Sequence, residues 1–308
     1  MRILVLGAGG IGGYFGARLQ EAGADVTFLV RTPRAAQLRK GGLAVFSSFG
    51  DVTVTPKVLT REELREPFDL IVLSCKAYDL ESAMDAIAPA IGERSVILPL
   101  LNGIRHMELL DQRFGATHVL GGVAQISVTL GAEGEIRHLN PMHRFTAGAR
   151  GGVSSPWLAE LAQVAASARF DFVLSDAIEQ AMWNKFVFLT TLAGATCLFR
   201  GSVGDIVASA AGEPFVTALF EECASVAAAS GFPTPEAQAA LFHKQLTERG
   251  SALIASMLRD VERGGPTEAD HILGDMHNRA KAKGVAAPSL ALAYSHLQVY
   301  AARRAAAS

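Results

Sequence analysis

Short, continuously apolar runs punctuate the first half of the chain and vanish from the second. Ile3–Leu6, Asp25–Val30, Asp69–Ser74 (DLIVLS) and Ser95–Leu101 (SVILPLL) show little alternation of apolar and polar residues. That is the pattern of parallel strands buried on both faces. Val119–Val123 reads as another strand. Helical spacing separates these runs, from the glycines after Leu6 to about Ala22 and again over Asp79–Ala90. The βαβα rhythm predicts an α/β domain with a doubly wound parallel sheet. Two pieces break it. Leu43–Phe46 and Val52–Val54 flank a Ser-Phe-Gly-Asp turn, and Glu135–Leu139 and Arg144–Ala147 flank Asn140-Pro141. Both predict hairpins, so antiparallel strands should extend the sheet.

Past about Leu174 the strand signal disappears. Asp176–Phe199, Glu213–Ser230, Pro235–Thr247, Leu253–Arg263 and Glu268–Lys283 all carry helical spacing. Gly231 is placed to follow a helix as its C′ residue, and Thr234-Pro235 to start one as N-cap and N1. The predicted organisation is therefore two domains, an α/β domain over 1–174 and an all-α domain over 175–308.

Composition narrows the class. Lysine and arginine total 28 against 30 aspartates and glutamates, so the formal charge is −2. This excludes a polycationic nucleic-acid binder. Half of the 308 residues are hydrophobic and 19% are charged, far from a disordered chain. Cys75, Cys197 and Cys223 are an odd number without a CxxC pair, as expected of buried thiols in a reducing compartment. Six glycines in the first 16 residues spoil any signal-peptide core. Phe186–Phe199 is uncharged but falls short of the ~20 residues a membrane span needs. A cytoplasmic protein is expected, with no membrane partner.

Gly7-Ala8-Gly9-Gly10-Ile11-Gly12 fits G-x-G-x-x-G, directly after an apolar strand and at the head of a helix. In that context the motif points to dinucleotide binding: Gly7 for the tight turn, Gly9 for close approach to a pyrophosphate, Gly12 for helix–strand packing. The second strand ends in Leu29-Val30-Arg31, with Arg34 behind it, where an NAD-binding fold usually places a carboxylate. A guanidinium there suits a 2′-phosphate, so NADP(H) is the expected cofactor. Two further strands end in polar residues on the same side, Cys75-Lys76 and Asn102-Gly103. Lys76 offers a cation, and Asn102 a donor and an acceptor.

Three features of the second half carry chemistry. Lys185, in Trp183-Asn184-Lys185, heads the long uncharged stretch, either as a reactive amine or as a lysine reaching to solvent. Thr267 and Asp270 have capping-box spacing, which would put Glu268 in a first helical turn. Glu268-x-x-His271 has the spacing of half a di-iron site, but the chain has no second Glu-x-x-His, so no metal is expected. His106 and His143 are expected to be loop residues.

The ordered set GAGGIG, SCKAYD, LLNGI, MWNKF and ASMLRDVERGGPTEAD resembles the ketopantoate reductase (2-dehydropantoate 2-reductase) family over nearly the whole length. The resemblance implies a Rossmann-type dinucleotide-binding domain followed by a helical one. It also implies NADPH-dependent reduction of the 2-keto group of ketopantoate to pantoate, on the route to pantothenate and coenzyme A. By resemblance Lys185 matches the catalytic lysine, and Asn102 the asparagine that touches substrate and cofactor. Lys76 matches a cofactor-binding lysine, Ser127 a cofactor-contacting position, and Ser256 a substrate-binding serine. Glu268 matches the glutamate where cofactor and substrate meet. The chain departs from the family at Leu189 and Ala193, where asparagines commonly follow the lysine by one and two helical turns. A reductase of a different, more apolar 2-oxo acid is therefore the alternative, and a non-catalytic NADPH sensor a more remote one. The apolar helical faces could pack internally or against a second copy as a homodimer.

Overall fold

The computed structural model describes residues 1–151 and 155–307. The chain falls into two compact units, one comprising Met1–Leu101 and His106–Ile178, the other Asn102–Arg105 and Glu179–Ser308.

The first unit opens with β1 (Arg2–Leu6), α1 (Gly10–Glu21), β2 (Asp25–Leu29) and α2 (Thr32–Gly41). After β3 (Leu43–Phe46), β4 (Val52–Val54) and β5 (Lys57–Leu59) come β6 (Leu70–Leu73), α3 (Leu80–Ile87) and β7 (Val96–Pro99). Then α4 (Arg105–Phe114), β8 (Gly121–Leu130), β9 (Ile136–Gly148), α5 (Pro156–Ala165) and β10 (Asp171–Leu174) follow. Five parallel strands form the first sheet in the order β5-β2-β1-β6-β7. Every residue of β6 and β7 is buried, which is why neither run alternates. Leu6 pairs with both Leu29 and Leu73, and Leu73 with Pro99, so four strands stop level with one another. The residues that follow them leave from one edge, and the strand order reverses at β1, where an α/β sheet takes its ligand.

The remaining strands form a second sheet, β10-β9-β3-β4 with β8 on β9, rather than an extension of the first. The hairpin expected at Ser-Phe-Gly-Asp is there, β3 antiparallel to β4. The one expected at Asn140-Pro141 is not. Residues 136–148 run as a single strand whose two halves both pair antiparallel with β8, and the register jumps from Ile126↔His143 to Val128↔His138. The residues around Pro141 bulge out of the ladder, as they must where a proline lacks its N–H. The turn chemistry is real: Asn140 Oδ1 accepts from the Met142 N–H at 3.2 Å. It makes a bulge instead of a reversal. The strand expected over Val119–Val123 starts at Gly121, after a bridge between Val119 and Ile97.

The second unit is helical: α6 (Ile178–Phe199), α7 (Val203–Val207), α8 (Gly212–Ala229), α9 (Glu236–Leu246), α10 (Ser256–Glu262), α11 (Asp275–Lys283) and α12 (Pro288–Ala307). An α/β unit with a parallel sheet is thus followed by an all-α unit. Gly231 has φ +93 and follows α8 as C′, its N–H bonding Ala228 and that of Phe232 bonding Ala227. Pro235 is the N-cap of α9 and not its first residue. Among the described residues no helix is long and apolar enough to cross a membrane.

Candidate functional site

In the first unit the candidate residues gather where β1, β2 and β6 end. Gly7 adopts φ +90 and its N–H donates to the Leu29 carbonyl at 2.9 Å, so the chain turns sharply off β1. A Cβ on Gly12 would stand 2.1 Å from Ser74 Oγ and 2.6 Å from the Gly7 carbonyl, so only glycine lets α1 sit against the turn. Gly9 is the N-cap of α1, and no described heavy atom lies within 4 Å of where its Cβ would be. No acidic side chain stands in the first turn and none caps it. Free N–H groups and an uncompensated dipole are what a pyrophosphate requires. Gly7, Ala8, Gly9, Gly10, Ile11 and Gly12 therefore fit a dinucleotide.

Arg31 follows β2 as the N-cap of α2, 79% exposed, with its guanidinium 3.0 Å from Asp79. Asp79 belongs to the 3-10 turn Ala77–Asp79 that Lys76 caps, so Arg31, Lys76 and Asp79 share one rim of the glycine turn. Arg34 does something different. Its guanidinium donates to the Ala8 carbonyl at 3.0 Å and to the Gly134 carbonyl at 2.8 Å, which ties the glycine turn to the β8–β9 connection. Burial lowers its pKa. Ser127 lies on β8 at the register jump and is partly exposed.

The other candidates fall in the second unit, Asn102 among them. Lys185 sits about two turns into α6 (Ile178–Phe199). Trp183 stacks on Phe232 with centroids 5.5 Å apart, and the Arg279 guanidinium lies over its ring at 5.6 Å. Gln180 donates to Asn184 at 2.9 Å and to the Pro233 carbonyl at 3.2 Å. These contacts fix the backbone that carries Lys185. Burial pushes the Lys185 ammonium down to about 8, against the pull of Glu268, whose negative charge favours the protonated form. The lysine is thus not a solvated surface amine.

Glu268 is 6% exposed and precedes its helix by one residue. Its carbonyl accepts from the Ile272 N–H at 3.0 Å. The capping box expected here does not form: Ala269 takes the N-cap position without a side-chain cap, and Asp270 Oδ1 accepts from the Tyr294 hydroxyl at 2.8 Å. The segment then makes a π-helical turn over Asp270–Gly274 before α11. His271 lies in that turn, 8% exposed, and bonds the main chain of Asn102. Ser256 is the exposed first residue of α10. The N–H of Ala255, just before it, reaches Thr196 Oγ1 at 3.4 Å, so α10 begins over the far end of α6. Eleven residues separate Lys185 from Thr196, about 16 Å along the helix. Leu189 lies between them on the lysine's face and is partly exposed, whereas Ala193 is 3% exposed. Thr191 Oγ1 donates back to the Val187 carbonyl, and Thr190 Oγ1 is buried without a hydrogen-bond partner.

His106 and His143 are not loop residues. His106 is buried on α4, and His143 is buried in β9 with Nδ1 2.9 Å from the Tyr14 hydroxyl. Sequence reasoning passed over Asp79, the bridging role of Arg34, and His271. The Glu-x-x-His spacing is the one signal for His271 in the sequence, and it bears only on metal ligation, which the lack of a second such pair argues against. Among the described residues no group of three His, Cys, Asp or Glu side chains is placed to hold a metal ion.

A glycine turn at the reversal point of a parallel sheet and a partly buried, low-pKa lysine beside a carboxylate define a nucleotide-dependent oxidoreductase. The chain belongs to the ketopantoate reductase family. The family model "Ketopantoate reductase PanE/ApbA" matches residues 3–152, and "Ketopantoate reductase PanE/ApbA C terminal" matches 177–301. An uncharacterized oxidoreductase, YkpB of Bacillus subtilis (strain 168), is 38% identical over 304 residues, covering 99% of this chain and 100% of its own. The crystal structure of 2-dehydropantoate 2-reductase from Geobacter metallireducens GS-15 superposes with a TM-score of 0.88 at 30% identity, over 97% and 99% of the two chains. A D-mandelate dehydrogenase solved with NADH and anilino(oxo)acetate shares the fold, with a TM-score of 0.87 at 21% identity over 99% of each chain. One fold thus serves proteins named for different acids, and the residues of the site must decide between them.

Proposed function

We propose that the protein reduces 2-dehydropantoate to pantoate with NADPH, in the cytoplasm and on the route to pantothenate. The observation that carries this reading is Lys185, a lysine whose pKa of about 8 lets it hold a proton at neutral pH and still release it. The bound nicotinamide cofactor supplies the hydride to the ketone carbon. The Lys185 ammonium donates a hydrogen bond to the ketone oxygen, stabilises the charge that develops there, and gives up its proton to form the hydroxyl. Lys185 is left neutral and is recharged from water. Asn102 orients the carbonyl, Ser256 holds the distal part of the substrate, and Glu268 keeps the lysine protonated and fixes a hydroxyl. Gly7 to Gly12 cradle the pyrophosphate, Arg31 and Lys76 meet the 2′-phosphate side, and Ser127 contacts the cofactor. The α/β domain (1–174) is thereby the cofactor half and the helical domain (175–308) the substrate half.

Leu189 favours a second reading, reduction of a more apolar 2-oxo acid, because it puts a partly exposed hydrocarbon where a hydroxylated substrate would want a donor. NADPH oxidation followed at 340 nm, with ketopantoate against a panel of 2-oxo acids, separates the two. The highest kcat/KM with ketopantoate supports the first reading, and preference for an unhydroxylated acid supports the second. Turnover with none of them overturns both. Assembly as a homodimer belongs to the same proposal. The exposed Leu292 and Val299, seven residues apart on α12, offer an apolar surface for it, and light scattering gives the mass.

A further inference from the structure

Asn102 stands in a short turn, Asn102–Arg105, that belongs with the helical unit although β7 delivers it. What keeps this turn in place is visible at Gly103. Its φ is +77, and a Cβ there would lie 3.0 Å from His271 Cδ2 and 3.1 Å from the His271 carbonyl. The backbone therefore lies against the imidazole, where any side chain would be in tight contact and strained by the positive φ. The ring also bonds the Asn102 main chain, an N–H donating to the carbonyl. His271 itself follows Glu268 by three residues, in the π-helical turn whose main chain is anchored by the Glu268 carbonyl.

We propose that His271 is a positioning residue: it clamps the Asn102–Gly103 turn to the segment bearing Glu268, so that Asn102 and Glu268 meet the substrate in one fixed geometry. This rests on the reading of Asn102 and Glu268 given above. An imidazole suits the task because it stays neutral. Burial, with the Arg105 guanidinium nearby, holds its pKa at about 4, although the bond to Asn102 pulls upward. Across the pH range in which Lys185 titrates the clamp neither gains nor loses a proton, and it adds no charge of its own.

H271L removes the N–H at similar volume, and H271Q restores a donor near the Nε2 position. In the full-length enzyme H271L is expected to lower kcat about 10- to 100-fold, the scale of a small misplacement of a reacting group. KM for NADPH should change much less than kcat, since the glycine turn is untouched and Asn102 supplies only part of the cofactor contact. H271Q should recover kcat to within about fivefold of wild type. A second readout needs no substrate. Amides of residues 102–105 should exchange with deuterium about tenfold faster in H271L and at the wild-type rate in H271Q.

Wild-type kcat in H271L, equal losses in both variants, or unchanged exchange would each overturn the proposal. If H271L does not fold, G103A pushes the turn off an intact histidine and should reproduce the loss of kcat, and wild-type kcat in G103A overturns it equally. A wild-type enzyme inactive on every 2-oxo acid would defeat the functional reading alone, because the exchange measurement still decides whether His271 holds the turn.

Discussion

Glu268 works against the burial of Lys185: removal from water drives the ammonium down to about 8, and the negative charge of the glutamate keeps it from falling further. The consequence is a pH dependence with a fixed sign. A group that must donate a proton is competent below its pKa, so kcat/KM for reduction should be level on the acid side and decline as pH rises through about 8. Oxidation of the hydroxy acid needs the neutral amine and should rise through the same range. E268Q removes the charge that favours the ammonium, so the alkaline limb should move to lower pH by on the order of one unit. A limb that stays in place, or moves upward, would show that Glu268 does not act on the lysine.

Replacing Lys185 itself gives the larger effect. K185M keeps much of the apolar stem packed in α6 and deletes the proton and the positive charge. The expected loss in kcat is about 10²- to 10⁴-fold, the range for a positioned general acid. NADPH affinity, read from quenching of cofactor fluorescence, should change little. Unchanged turnover in K185M would remove the lysine from the mechanism.

On the proposed reading, cofactor choice is set at Arg31, whose guanidinium lies 3.0 Å from Asp79. Arg31 is mostly exposed, so the pair itself contributes little stability. Its importance lies in what each partner does to a third charge. R31A should lower the preference for NADPH over NADH by about tenfold, by deleting a charged hydrogen bond to the 2′-phosphate. D79N should act in the opposite sense, because the carboxylate competes for the guanidinium and repels the phosphate. Dissociation constants for both cofactors check this, and equal preference in wild type and R31A would reassign the 2′-phosphate contact.

How much of this was legible in the sequence follows from the range of the interactions. The strands of the parallel sheet announce themselves because burial on both faces leaves continuous apolar runs, as at Leu70–Leu73. The glycine turn is partly local: one constraint on Gly12 comes from Gly7, five residues away, while the other comes from Ser74, just past the end of the neighbouring strand. The second sheet was half hidden, because Asn140-Pro141 has turn chemistry and only the pairing of both flanks with β8 reveals a bulge. The capping-box spacing at Thr267 was similarly misleading: Ala269 takes the N-cap position instead, and Asp270 bonds Tyr294, 24 residues further along. Arg34 touches Gly134 across 100 residues, and His271 meets Asn102 across a still longer gap. No periodicity or spacing encodes such contacts.

Leu189 supplies the test that separates the two substrate readings. It is partly exposed on the face of α6 that carries Lys185, whereas Ala193, a turn further, is buried. L189N should therefore install one amide toward the substrate without disturbing the core. A hydrogen bond gained in a desolvated site contributes about 1 kcal/mol, or roughly five- to tenfold in kcat/KM. For the hydroxylated ketopantoate, L189N should raise kcat/KM by that factor relative to an unhydroxylated analogue of the same carbon skeleton. If wild type already prefers ketopantoate and L189N lowers that preference, the hydroxyl is held elsewhere, and Leu189 packs against the methyl groups of the substrate. If L189N alters neither acid, its side chain does not meet the substrate, and specificity must be sought nearer Ser256.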